Sequence, residues 1–164
     1  LQEDRPERRG WGGREMTERF LNMVPFLFEW EGVKYENDPD DPGGETKFGL
    51  DKRSHPNEDI RKLTAARAKQ IYFDEYWKAG GRCGLPEGCD SYAHPLGEVV
   101  FNCVVNCGPA RARQFLRAGA RTAEKFIQEQ EAFYRRLVVA RPKSEKYLKG
   151  WLNRLVALKK HLDI

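Results

Sequence analysis

The feature that most constrains this 164-residue chain is a break in its periodicity. Apolar residues recur at helical spacing up to Glu31 and again from about Thr64 onward, but between them the period vanishes. The intervening stretch, Val33 to Leu50, is rich in turn formers (Asn37, Asp38, Pro39, Asp41, Pro42, Gly43, Gly44), while Tyr35, Thr46 and Phe48 suit short strands. A mainly helical body with one small irregular hairpin, folded back over the end of the first helix, follows from that pattern.

Caps and breakers bound the helices. Thr17 is placed to cap a helix running to about Glu31, with Pro25 inside it and Gly32 able to end it. A second helix begins near Thr64 and closes near Trp77, and AGGRCGLPEGC (79–89) reads as a loop. The strongly apolar run from about Leu96 to Asn106, ended by Gly108, is the expected central core helix, and Pro109 suits the first turn of the next. Thr122 opens a long helix whose buried stripe is Phe126, Ile127, Phe133, Tyr134, Leu137 and Val138, and Pro142 stops it. Ser144 caps the last helix, with Tyr147, Leu148, Trp151, Leu152, Leu155 and Val156 on its apolar face and Lys149, Arg154, Lys159 and Lys160 on the other. The expected fold is therefore mainly α, of the α+β kind: a helical bundle around a central apolar helix with one β-hairpin at the site. Residues 1–15 read as a flexible extension, and 16–90 and 91–164 as two segments of one globular body.

No apolar run approaches the roughly 18 residues needed to span a bilayer. The opening LQEDRPERRGWGGRE is charged and Gly-rich, unlike a signal peptide, so either a tag before Met16 or a lost leader accounts for it. Charge is distributed unevenly: residues 1–110 carry a net −5 and residues 111–164 a net +9, within the overall +4. A basic C-terminal third suits an anionic partner such as cell wall, nucleic acid or a membrane surface; a merely solvated face is the alternative. The four cysteines, Cys83, Cys89, Cys103 and Cys107, form no CxxC pair. Buried free thiols, one disulfide between Cys83 and Cys89, and a metal site with His94 all stay open.

Helical phase separates two glutamates at the end of the first helix. At about 100° per residue, Glu31 falls within about 60° of Phe20, Val24, Leu27 and Phe28, whereas Glu29 falls with Glu18, Asn22 and Pro25. A carboxyl at the end of an apolar stripe is desolvated, which favours a group able to donate a proton near neutrality. Asp40 and Asp41 follow within the turn, and Thr46 lies across the expected hairpin, where a hydroxyl can hold an attacking water. That constellation suits glycoside hydrolysis; a capping and turn cluster is the plain structural alternative. A calcium loop starting at Asp38 fits poorly, because Pro42 and Gly49 fall where ligands are needed.

The stretch EGVKYENDPDDPGGETKFGL resembles the signature of glycoside hydrolase family 108, the lysozyme-like N-acetylmuramidases. The likeness continues through LTAARAKQIYFDEYW, VVFNCVVNCGPARARQFLR and YLKGWLNRL, the last two similar to the helical peptidoglycan-binding region that follows this catalytic segment. The resemblance implies cleavage of the β-1,4 bond between N-acetylmuramic acid and N-acetylglucosamine, a lysozyme-like fold, and neither metal nor cofactor. It places the catalytic glutamate on Glu31, the second carboxylate on Asp41 and the threonine on Thr46. The Glu–eight residues–Asp–five residues–Thr spacing of phage-type lysozymes instead fits Asp40 with Thr46. Tyr35 and Asn106 are candidate substrate-binding residues. The chain departs from the family pattern at Val33, in place of a glycine, and by one residue inserted before Tyr35. It departs again at Asp51, where threonine or serine is usual, and at RAGARTAEKF, which replaces a Gly-rich loop.

The expected partner is bacterial peptidoglycan, for a monomer acting in the periplasm or on the wall, with a holin or secretion system as the export route. Retention or inversion stays open, as does the biological role among phage lysis, wall remodelling and antibacterial action. A catalytically inactive wall-binding protein and a nucleic-acid-binding module using the basic C-terminal third are the rival readings.

Overall fold

Thr17 starts the first helix as its position implies, its Oγ1 accepting from the Phe20 backbone N–H at 3.3 Å. The computed structural model describes residues 15–164, so the expected N-terminal extension lies, but for Glu15, outside the described residues. Helix α1 (Glu18–Glu31) ends where Gly32 takes a φ of 79° and donates its N–H to the Phe28 carbonyl at 3.0 Å.

The excursion that follows is a three-stranded antiparallel sheet, one strand more than expected: β1 (Glu36–Asn37), β2 (Glu45–Lys47) and β3 (Leu50–Asp51), in that order. Glu36 pairs with Thr46 and Thr46 with Asp51, which sets all three on one row of the sheet. The extra strand is made by a two-residue turn at Phe48–Gly49, whose φ angles of 54° and 75° match the positive-φ turns that suit hairpin twist. Phenylalanine is an unusual residue there. Its ring packs on Phe28 at 5.0 Å and its carbonyl accepts from the buried Tyr72 hydroxyl at 2.8 Å, so tertiary contacts overrule local preference.

Helix α2 (Ala65–Tyr72), capped by Thr64, runs into a π-helical turn at Phe73–Trp77. Helix α3 (Leu96–Cys107) is the expected central element, every residue from Leu96 to Val104 being buried. Helices α4 (Pro109–Arg117), α5 (Ala123–Ala140) and α6 (Glu145–Leu162) pack in sequence around it. Phe20 of α1, Phe101 of α3, and Phe73 and Trp77 between them form a nest of rings with centroids 5.1–5.9 Å apart. That aromatic nest joins the first helix to the central one.

Some expectations are corrected. Ser144 makes no side-chain cap, because the short turn Pro142–Ser144 already leads into α6 with helical geometry at residue 144. On α6 the buried face is rotated from the one expected: Val156 is 67% exposed, while Arg154 is 6% exposed. All four cysteines are free thiols. Among the described residues no group of His, Cys, Asp or Glu is arranged to hold a metal ion, and no helix is long and apolar enough to cross a membrane.

Beside the aromatic nest, Glu98 of α3 is 2% exposed, and its carboxylate accepts from Arg19 Nη2 and Nε at 2.7 and 2.8 Å. Burial works against its charge, but the hydrogen bonds with Arg19 and His94 outweigh it and hold the carboxyl below its ordinary value. A group depressed in the folded state contributes stability above its unfolded value of 4.5, and that contribution is lost as pH falls through the folded value. Glu98→Gln is expected to cost roughly 1–3 kcal/mol at neutral pH, because a half-buried arginine loses its bidentate carboxylate partner. Urea denaturation at pH 7 and at pH 3 checks this: the gap between parent and variant should shrink at the lower pH.

Candidate active site

Helical phase places Glu31 as expected, half-buried at the end of α1, whereas Glu29 is exposed. Its surroundings differ from the apolar pocket expected. Arg154 of α6 donates from Nη1 to Glu31 Oε1 at 2.7 Å and from Nε to Asn102 Oδ1 of α3 at 2.9 Å. The side chains of Arg154 and Glu31 are 7% and 19% exposed, so solvent screens this pair weakly. The carboxylate is thus pinned by one oxygen. Arg154 Nη2 and Asn102 Nδ2 are buried without a hydrogen-bond partner among the described residues.

The other oxygen lies by Gly49. A Cβ added at Gly49 would come within 2.7 Å of Glu31 Oε2, Glu31 Cβ and Tyr72 Oη, so the backbone approaches the carboxyl more closely than any side chain permits. Burial first, and then the Glu31 carboxylate, push the Tyr72 phenol up, which keeps it a neutral donor to the Phe48 carbonyl. Tyr72 therefore anchors the β2–β3 turn that carries Gly49.

Glu31 opens on a cleft of about 440 Å³ whose lining includes Val33, Lys34, Glu36, Thr46 and Gly49. The fold brings Glu31 and Thr46 to this one cleft. Thr46 is half-buried, and its hydroxyl makes a long 3.5 Å contact to the Gly44 carbonyl, leaving it available to a further partner. Asp40 and Asp41 are exposed in the turn between β1 and β2 and are not among the residues lining the cleft. Asp41 Oδ1 accepts from the Gly43 N–H at 2.8 Å, whereas the Asp40 side chain makes no hydrogen bond among the described residues. Tyr35 lies outside the lining, donating to Glu45 Oε1 at 2.7 Å with Arg61 over its ring. Asn106 also lies outside, one turn along α3 from Asn102, donating to Tyr134 Oη at 2.5 Å.

Sequence reasoning missed Arg154, Asn102, Tyr72 and Glu36. A signal for Arg154 existed: it lies three residues after Trp151 and four before Leu158, on the buried stripe of α6. Asp51, which departs from the family pattern, lies across from Thr46 and accepts from the Ser54 N–H at 2.8 Å. The cleft thus holds a carboxyl pinned by Arg154 and a hydroxyl, the kinds of group that glycosidic cleavage draws on.

The family model described as Glycosyl hydrolase 108 matches residues 24–108, a span that contains the C-terminal part of α1, the sheet, α2 and α3. The chain is also similar to the solved structure of Brucella abortus SagA, with a TM-score of 0.64 and 21% identity over 87% of this chain and 92% of that one. At that identity the likeness speaks to the fold. No curated protein matches the chain.

Gly49→Ala is expected to strain a positive φ and to push Glu31 and Tyr72 away from the new methyl group, at roughly 2–5 kcal/mol. Gly32→Ala, with the same sign of φ but nothing within 4 Å, should cost only about 1–2 kcal/mol. Thermal melts of the two variants against the parent test the difference.

Proposed function

From membership of the glycosyl hydrolase 108 family, to which this chain belongs, we propose that it cleaves the β-1,4 bond between N-acetylmuramic acid and N-acetylglucosamine, with Glu31 as general acid. The coarser activity, glycoside hydrolysis of peptidoglycan at the cell wall, goes with the family. The observation that carries the finer reading is the setting of Glu31: one oxygen held by Arg154, the carboxyl on a cleft wall, and Thr46 on the same cleft.

Glu31 gives its proton to the leaving glycosidic oxygen as the C1–O bond breaks, while Thr46 holds the water that will attack C1. Arg154 orients the carboxyl rather than taking part in the proton transfer, since a guanidinium stays charged at all working pH values. Of the two competing aspartates, Asp41 serves the turn through Gly43. Asp40, exposed and outside the cleft lining, is the second carboxylate, acting through space on the positive charge that develops on the sugar ring. Tyr35 and Asn106 lie outside the cleft lining, so their part in substrate binding is confined to sugars beyond the bond cleaved. Residues 16–90 supply the catalytic elements and 91–164 the helical region that meets the wall, in one body. The basic residues after position 110 attract the anionic wall, an effect that salt weakens.

Glu31→Gln is expected to abolish clearing of peptidoglycan suspensions by a folded protein. Mass spectrometry of the parent's digest should show fragments ending in reducing N-acetylmuramic acid. A folded Glu31→Gln variant that clears suspensions as fast as the parent would overturn the mechanism. Asp40→Asn should lower turnover at least about tenfold. Asp41→Asn should mainly lower stability, by roughly 1 kcal/mol, through the loss of a charged hydrogen bond to the turn.

A further inference from the structure

We propose that Glu36 is a further catalytic residue of this cleft, the carboxylate that takes the proton of the water held by Thr46; this rests on the glycoside-hydrolase reading of the Glu31 site. Antiparallel register sets Glu36 of β1 directly opposite Thr46 of β2. Directly opposed residues on one sheet face hold their Cβ atoms about 4.5–5.5 Å apart, so the longer glutamate side chain reaches whatever the threonine hydroxyl binds. Both residues line the cleft that also holds Glu31.

The other acids of the sheet and its turns are engaged elsewhere or lie away from the cleft. Asp38 accepts from the Asp40 N–H, Asp41 from the Gly43 N–H, Glu45 from the Tyr35 hydroxyl and Asp51 from the Ser54 N–H. Asp40 is unengaged but lies outside the cleft lining. Glu36 combines a place in the lining with a carboxylate that makes no hydrogen bond or ion pair among the described residues. Glu29 also lines the cleft, but it belongs to α1, the element that carries Glu31 itself, and not to the sheet that carries Thr46.

The step balances as one displacement. The water oxygen bonds to C1, one of its protons passes to the Glu36 carboxylate, and the C1–O bond to the leaving sugar breaks. The leaving oxygen takes the proton of Glu31, and the proton now on Glu36 returns to Glu31 through solvent before the next turnover. Attack from the face opposite the leaving group gives a product of inverted, α configuration.

The test is Glu36→Ala, assayed on soluble glycan fragments of peptidoglycan with and without sodium azide. Loss of a general base should lower kcat about 10²–10⁴-fold with KM within about threefold of the parent. Azide, a small nucleophile that needs no deprotonation, should restore turnover and give an α-glycosyl azide. A kcat within twofold of the parent overturns the proposal, and so does a folded variant with low kcat that azide fails to rescue. Should Glu36→Ala not fold, Glu36→Gln is measured in its place, with the same kcat criterion. Activity of Glu31→Gln, which azide should not restore, separately tests the underlying reading.

Discussion

The candidate site depends on one ion pair between residues 123 positions apart, Arg154 and Glu31. Through it the end of α1, the middle of α3 by way of Asn102, and α6 meet at a single guanidinium. A buried pair of this kind is weak evidence for stability, because removing two charges from water cancels much of their attraction. Its effect here is geometric. It fixes one carboxylate oxygen and leaves the other toward the cleft, so the site is complete only when the C-terminal helix is docked.

The opposite wall depends on register. Strands of two or three residues specify their pairing weakly, and a slip of one residue between β1 and β2 would put Glu36 and Thr46 on opposite faces. The register is held from outside the sheet. Phe48 is pinned by Phe28 of α1 and by Tyr72 of α2, and Gly49 lets the turn close against Glu31. The sheet wall of the cleft is therefore an extension of the aromatic core, and a change at Tyr72 would act on the cleft from behind it.

Within glycosyl hydrolase family 108, the positions at which this chain departs from the family pattern take definite places. Val33, in place of a glycine, is 51% exposed on the lining of the cleft. Asp51 sits beside Thr46 in the sheet and is occupied with the backbone of Ser54. The residue that the family resemblance counts as inserted before Tyr35 falls in the irregular stretch between α1 and β1.

Much of the architecture was legible in the sequence because helices are local objects. The caps at Thr17, Thr64 and Thr122, the stop at Gly108, the buried run of α3 and the phase of Glu31 all follow from spacing within a few turns. The third strand was not legible, since Phe-Gly is a poor turn signal and only packing on Phe28 and Tyr72 makes it one. Arg154 was misplaced because a charge is read as surface by default, although its phase lies on the buried stripe. By itself, then, the sequence determined the helical frame, the break between Val33 and Leu50, the deeper burial of Glu31 relative to Glu29 and the family. Only the tertiary structure decided what faces Glu31, because Arg154, Asn102, Tyr72, Gly49 and Glu36 come from distant elements. Their convergence is a property of packing that no local periodicity encodes.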